Sequence, residues 1–189
     1  ENHRVAKSDS LVTLNFSAIA KGYACDVIGQ LLTDRGIDDY MVEIGGEMVV
    51  RGRNPEGKPW RVGVNRPTIE DGEAGTIEEV LQMTGGGLAT SGNYRNYRVV
   101  DGKRIAHTID PVTGYPVQHS LLSATVLAPD CMTADAYATA FMVMGLERSR
   151  ALVDSLPGIE ALFLYQNPTD TARIDCWVTA GMQKLILKK

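Results

Sequence analysis

The chain has 189 residues, 44% of them hydrophobic, and a formal net charge of −4. That size and apolar content fit one domain, residues 1–189, around one buried core. The acidic balance, without any basic run, argues against a nucleic-acid backbone as partner. No stretch approaches the roughly 20 apolar residues that a membrane helix requires. Cys25, Cys131 and Cys176 fit no zinc spacing, and their odd number argues against a complete disulfide framework, so they read as small buried apolar residues. Glu1 opens directly into a charged stretch with neither signal peptide nor lipidation cysteine, which reads as a processed or shortened start.

In chain order, residues 18–35 are predicted helical. Ile19, Tyr23, Val27, Leu31 and Leu32 recur at helical spacing, and Gly36 is a natural stop. Residues 40–51 read as a strand interrupted at Gly45 and Gly46, a pair that signals a bulge or a close approach of backbone to ligand. Trp60 to Asn65 alternates as a short strand, and 67–76 is a polar connection. Gly85-Gly86-Gly87 lies within Gln82 to Ser91. Tyr97 to Val100 and Lys103 to Ile109 form a hairpin about a tight Asp101-Gly102 turn. Ser123 to Ala128 is an apolar strand, Thr133 to Met144 a helix ended by Gly145, and Arg148 to Ser155 a second short helix. Glu160 to Tyr165, Arg173 to Val178 and Lys184 to Leu187 read as closing strands. The expected class is α+β, with a mixed, largely antiparallel sheet and packed helices.

Several segments combine chemically useful residues. Asp135 and Thr139 lie one turn apart on the predicted helix and share a face. A carboxylate and a hydroxyl are hard oxygen ligands of the kind magnesium takes. The plainer reading is a carboxylate favoured near a helix start and a threonine bonded back to its own helix. Asn15 to Tyr23 reads as a strand end entering a helix, where free N–H groups hold phosphate oxygens and Lys21 adds a point charge. Alternatively, Ser17 is a simple N-cap and Lys21 a solvated cation. His107 follows a strand and precedes a proline- and glycine-rich turn, a place for a general base or for a structural hydrogen-bonder. Thr90 and Ser91 either line a ligand cleft or belong to a turn. For Glu43-Ile44-Gly45-Gly46-Glu47, bulge and ligand contact stay equally open.

Together, in this order, the segments at 18–23, 43–47, 57–60, 90–94, 107–114 and 134–139 resemble the ApbE family of FAD:protein FMN transferases. The resemblance implies an ApbE-like fold of which the N-terminal part is missing here. It implies Mg²⁺ held by Asp135, Thr139 and the backbone carbonyl of Ala18. It places Asn15, Lys21, Ile109, Thr90 and Ser91 along the FAD site and makes His107 the base. The reaction implied moves FMN from FAD to a Thr or Ser hydroxyl of a partner flavoprotein and releases AMP. Hydrolysis of FAD to FMN and AMP, or flavin binding without chemistry, are the alternatives. The resemblance also implies a periplasmic or cell-envelope protein, lipid-anchored through an N-terminal segment absent here. One departure stands out: the family usually has Asp-x-Gly-Ala ahead of Ile-Ala-Lys-Gly, where this chain has Asn15-Phe16-Ser17-Ala18, so the side chain at position 15 brings no charge.

Overall fold

A computed structural model of the chain describes residues 4–67, 76–93, 97–100, 103–106, 108–170 and 172–188. In order come α1 (Ala20–Asp34), β1 (Tyr40–Ile44), β2 (Glu47–Arg51), β3 (Trp60–Asn65), β4 (Ile77–Met83), β5 (Gly85–Gly92), β6 (Tyr97–Val100) and β7 (Lys103–Ala106). They are followed by β8 (Leu121–Ala128), α2 (Cys131–Met144), α3 (Leu146–Val153), β9 (Glu160–Gln166), β10 (Ile174–Val178) and α4 (Ala180–Leu185). The main sheet has the order β1-β2-β5-β8-β9-β10, while β3–β4 and β6–β7 form separate two-stranded sheets. Every pairing among the described strands is antiparallel, so the architecture is α+β as expected.

Strand alternation divides the core into two layers. On one face, Ala124, Val126 and Ala128 of β8 and Ala161 and Phe163 of β9 pack with Ala134, Ala138, Phe141 and Met142 of α2. Phe163 meets Phe141 edge-on at 5.3 Å between ring centroids and stacks on Trp177 at 5.3 Å. On the other face, Leu162 and Leu164 of β9, Met48 and Val50 of β2 and Leu88 of β5 pack with Val62, Val64, Leu81 and Met83 of the β3–β4 hairpin and Met182 of α4. Both faces of the central strands are covered, which is why β9 reads as a nearly unbroken apolar run. Each fully buried Leu or Phe contributes roughly 1.5–3 kcal/mol of hydrophobic stabilisation. Among the described residues no helix is long and apolar enough to cross a membrane.

The structure corrects several expectations. The segment 40–51 is a hairpin rather than one bulged strand: Gly45 and Gly46 have φ of 62° and 100°, and β1 folds back on β2. The helix face assigned from Tyr23, Val27 and Leu31 is exposed, whereas α1 buries Gly22, Cys25 and Gly29. Small residues point inward because α1 lies close against its neighbours. Asn15 lies in an irregular stretch, not at a strand end, and Ser17 does not cap α1, whose N-cap position is Ile19. Ile77–Met83 is a strand that the glycine-rich surroundings concealed. Cys176 is exposed, unlike Cys25 and Cys131. The Asp101-Gly102 turn and most of the 67–76 connection lie outside the described residues.

The expected closing strand at Lys184 to Leu187 is replaced by α4, which extends to Leu185, and Ile186 makes only an isolated bridge to Leu81. Local capping outweighs strand propensity here. The Thr179 hydroxyl accepts from Met182 N at 3.4 Å and from Ala161 N at 3.1 Å, and it donates to the Glu160 carboxylate. Glu160 Oε2 in turn accepts from the N–H groups of Gly181 and Met182 at 3.0 and 3.2 Å. Thr179→Ala removes the hydroxyl from all these bonds at a buried site. It is expected to lower stability by about 1–2 kcal/mol, read as a drop in urea midpoint with unchanged slope.

Candidate metal and phosphate site

The N-terminal ends of α1 and α2 meet on the same face of the main sheet. Gly22, in the first turn of α1, makes this possible: a Cβ there would stand 2.3 Å from the carbonyl oxygen of Cys131 and 2.8 Å from Met132 Cα. Each helix supplies a carboxylate to the other's free N–H groups. Asp135 of α2 accepts from Gly22 N at 3.1 Å. Asp26 of α1 accepts from Cys131 N and Met132 N, both at 2.8 Å. Asp130 completes the α2 terminus by accepting from Thr133 N at 2.7 Å. Thus two of the four N–H groups that a helix start leaves unpaired are satisfied from 105 and 106 residues away.

The Gly22–Asp135 bond has a consequence for Ala18. In a continuing helix Gly22 N–H would bond the carbonyl four residues earlier. Here that N–H goes to Asp135, the N–H groups of Ile19 and Ala20 go to Phe16 O, and Tyr23 N goes to Ile19 O. No described hydrogen bond reaches the Ala18 carbonyl. Asp135 is 2% exposed, and burial holds its carboxyl above the usual carboxylate range, against the opposing pull of the Gly22 N–H and the Lys21 charge. One turn on, the Thr139 hydroxyl lies 3.3 Å from Ser91 Oγ on β5. The structure therefore brings Asp135, Thr139, Ser91 and the α1 entry together.

Lys21 connects this cluster to a cleft of about 470 Å³ lined by Glu43, Glu47, Arg61, Thr90 and Ser91 among others. Its ammonium is ion-paired with Glu47, whose side chain is 3% exposed. Burial raises the Glu47 pKa, and the Lys21 partner works against that rise. Thr90 lines the cleft, but its hydroxyl is shared with Thr125 across the β5–β8 pair at 2.9 Å. Asn15 is exposed, and its Oδ1 accepts from Ser17 N at 2.8 Å, forming a local turn ahead of α1. Ile109 lies in a separate loop, bridged to Pro116 and 48% exposed, and no described hydrogen bond joins it to the other described site residues. That loop is tied to the end of β5 by Thr108 Oγ1 donating to Asn93 Oδ1 at 2.7 Å. His107 lies outside the described residues. Cys25 and Cys131 sit beneath the helix junction, and burial raises both thiols, which makes them poor nucleophiles.

Sequence reasoning missed Asp26 and the roles of Asn93 and Glu47. Asp26 carries no local signal, because its partners lie across the chain. Glu47 was within a motif singled out for its glycines, and a carboxylate directly after a tight turn was the available clue.

Comparison with known proteins gives a consistent result. A family model described as the ApbE family matches residues 1–163. The chain is 44% identical over 140 residues to a protein of Klebsiella pneumoniae (strain 342) named FAD:protein FMN transferase, covering 74% of this chain and 39% of that one. It is 36% identical over 176 residues to an Escherichia coli (strain K12) protein of the same name, covering 93% and 48%. Among solved structures, the flavin transferase ApbE from Vibrio cholerae aligns with a TM-score of 0.76 at 37% identity, over 89% of this chain and 51% of that one. The apbe protein from Thermotoga maritima aligns with a TM-score of 0.79 at 30% identity, over 93% and 54%. The chain spans half or less of the length of these curated relatives.

The helix junction makes its own prediction. Asp26→Ala leaves the Cys131 and Met132 N–H groups without their carboxylate, and is expected to cost about 1–3 kcal/mol. Amide hydrogen exchange followed by NMR should accelerate at Cys131 and Met132 beyond the global change, while Asp26→Asn, which keeps an acceptor oxygen, should show a smaller loss.

Proposed function

From the premise that the chain belongs to the ApbE family, we propose that it carries the metal- and pyrophosphate-binding part of an Mg²⁺-dependent FAD:protein FMN transferase. The observation that carries this reading is the diversion of the Gly22 N–H to Asp135. Among the described residues it leaves the Ala18 carbonyl without a hydrogen-bond donor beside a buried carboxylate, with the Thr139 hydroxyl one turn further on.

The donor set suits magnesium. One carboxylate, one hydroxyl and one carbonyl are hard oxygens, and Mg²⁺ is usually held by one or two carboxylates with water and substrate phosphate completing the shell. No cluster of three or more His, Cys, Asp or Glu occurs among the described residues, so a softer or carboxylate-rich metal site is not what these elements build. Asp135, Thr139 and Ala18 O would hold the ion, which when bound would offset negative charge on the phosphates and on departing AMP.

The chain's own groups do the rest. Ser91 Oγ sits beside the Thr139 hydroxyl and restrains its rotation. Lys21 brings a positive charge to the mouth of the cleft, where the FAD pyrophosphate would lie. His107 acts as the base: the acceptor Ser or Thr hydroxyl gives its proton to the imidazole as its oxygen bonds the FMN-side phosphorus. The P–O bond to the AMP phosphate breaks, and AMP leaves with that electron pair. The product is FMN joined to the partner through a phosphoester.

Asp135→Asn is expected to weaken Mn²⁺ binding, measured by titration calorimetry, by more than about 100-fold, beyond the loss usual for a group that merely supports a ligand. It should also abolish AMP release from FAD. His107→Ala should spare FAD binding and slow AMP release by roughly 10²–10⁴-fold. Unchanged ion affinity and AMP release in Asp135→Asn would sink the proposal. Free FMN accumulating in step with AMP when acceptor protein is supplied would favour hydrolysis instead.

A further inference from the structure

Glu47 has no part in the transfer step above, yet it is the most deeply buried charged side chain lining the cleft. It opens β2 directly after the Gly45–Gly46 turn, and its side chain is only 3% exposed. A buried carboxylate is costly unless paired. Its ion-pair partner is Lys21, whose own side chain is 46% exposed and belongs to the first turn of α1. The lysine stem reaches Glu47 across the turn: a Cβ at Gly45 would stand 3.3 Å from Lys21 Cδ and 3.8 Å from Glu47 Oε2. Gly45 thus leaves room for the stem, and the carboxylate receives its tip.

A lysine on a flexible four-carbon stem has many rotamers and points nowhere in particular unless tethered. Lys21 follows the Ala18 carbonyl by three residues and immediately precedes Gly22, whose N–H binds Asp135. Held by Glu47, the ammonium is near enough to Asp135 for its charge to act on that carboxyl, and a free one would swing into solvent. We propose that Glu47 is a positioning residue whose buried carboxylate holds the Lys21 ammonium at the phosphate end of the cleft. The part of this inference that concerns phosphate rests on the function proposed above, whereas the tether itself does not.

The first test needs no ligand. Competitive acylation of the whole chain with an N-hydroxysuccinimide ester, read residue by residue by mass spectrometry, should modify Lys21 about three- to tenfold faster in Glu47→Gln than in wild type. The rate at exposed Lys58 should not change. Equal Lys21 rates overturn the tether. Glu47→Asp keeps the charge but shortens its reach, so it should fall between the two, and it provides the comparison if the Gln variant folds poorly.

The second test is a double-mutant cycle on Mg²⁺-FAD binding, followed by flavin fluorescence. Glu47→Gln should weaken binding about tenfold, and the same change added to Lys21→Met should weaken it no further. Equal losses in both backgrounds would mean that Glu47 acts on ligand or fold directly, and would overturn its role through Lys21. A wild-type chain that binds no FAD but still shows the acylation difference would overturn the assigned substrate and uphold the tether.

Discussion

The site depends on a reciprocal exchange between two helix N-termini. Two such ends carry like partial positive charge, and placing them side by side without compensation is unfavourable. Asp135 and Asp26 remove that conflict by crossing over, each accepting N–H groups from the other's helix. All three bonds require α1 and α2 to approach more closely than side chains of ordinary size permit. Gly22 supplies the missing volume at the contact, and Cys25 and Gly29 continue the small inward face of α1. The Ala18 carbonyl loses its usual partner as a direct result. One packing decision therefore produces an available oxygen and a buried carboxylate beside it.

The same packing limits how much negative charge the site can contain. Desolvation already raises Asp135 and Glu47 above the usual carboxylate range, and Lys21 opposes the rise in both. A third buried carboxylate would add repulsion to both. A neutral hydroxyl and a peptide carbonyl offer oxygen donors without that cost. This explains why a cation site here would be assembled from mixed donors, and why it would rely on substrate phosphate to complete its charge balance.

Much of the fold was legible because local rules and tertiary context agree. Gly145, with φ of 77°, ends α2 where a glycine following an apolar helical run should. The central strands announced themselves as apolar runs because both sheet faces are covered. Errors arose where a distant contact decided the outcome. Tyr23, Val27 and Leu31 formed the more apolar stripe of α1, but close packing selected the glycine and cysteine stripe instead. Lys184 to Leu187 looked strand-like, yet Glu160, reaching across from β9, caps a helix there. At the site, Asp135 and Thr139 were visible as an i, i+4 pair. Asp26 was not, because nothing near it in the chain marks a partner more than a hundred residues away.

Sheet order explains how pieces so distant in sequence meet. α1 packs on β1 and β2, and α2 packs on β5 and β8. The two helices are neighbours because β2 pairs directly with β5. The intervening β3–β4 hairpin does not enter the main sheet; it folds under the opposite face and fills the second core layer with Val62, Val64, Leu81 and Met83. Had those two strands been inserted between β2 and β5, they would have moved the helices apart by roughly 10 Å, two inter-strand spacings. Neither Asp26 nor Asp135 could span that gap, since a short Asp side chain has no such reach and hydrogen bonds fail beyond a few tenths of an ångström past the 2.8–3.1 Å seen here. The hairpin's exclusion is thus as necessary to the site as any residue in it. It also contributes to the cleft wall, because Arg61 and Asn65 of that excluded strand line the cleft together with Lys21 and Glu47.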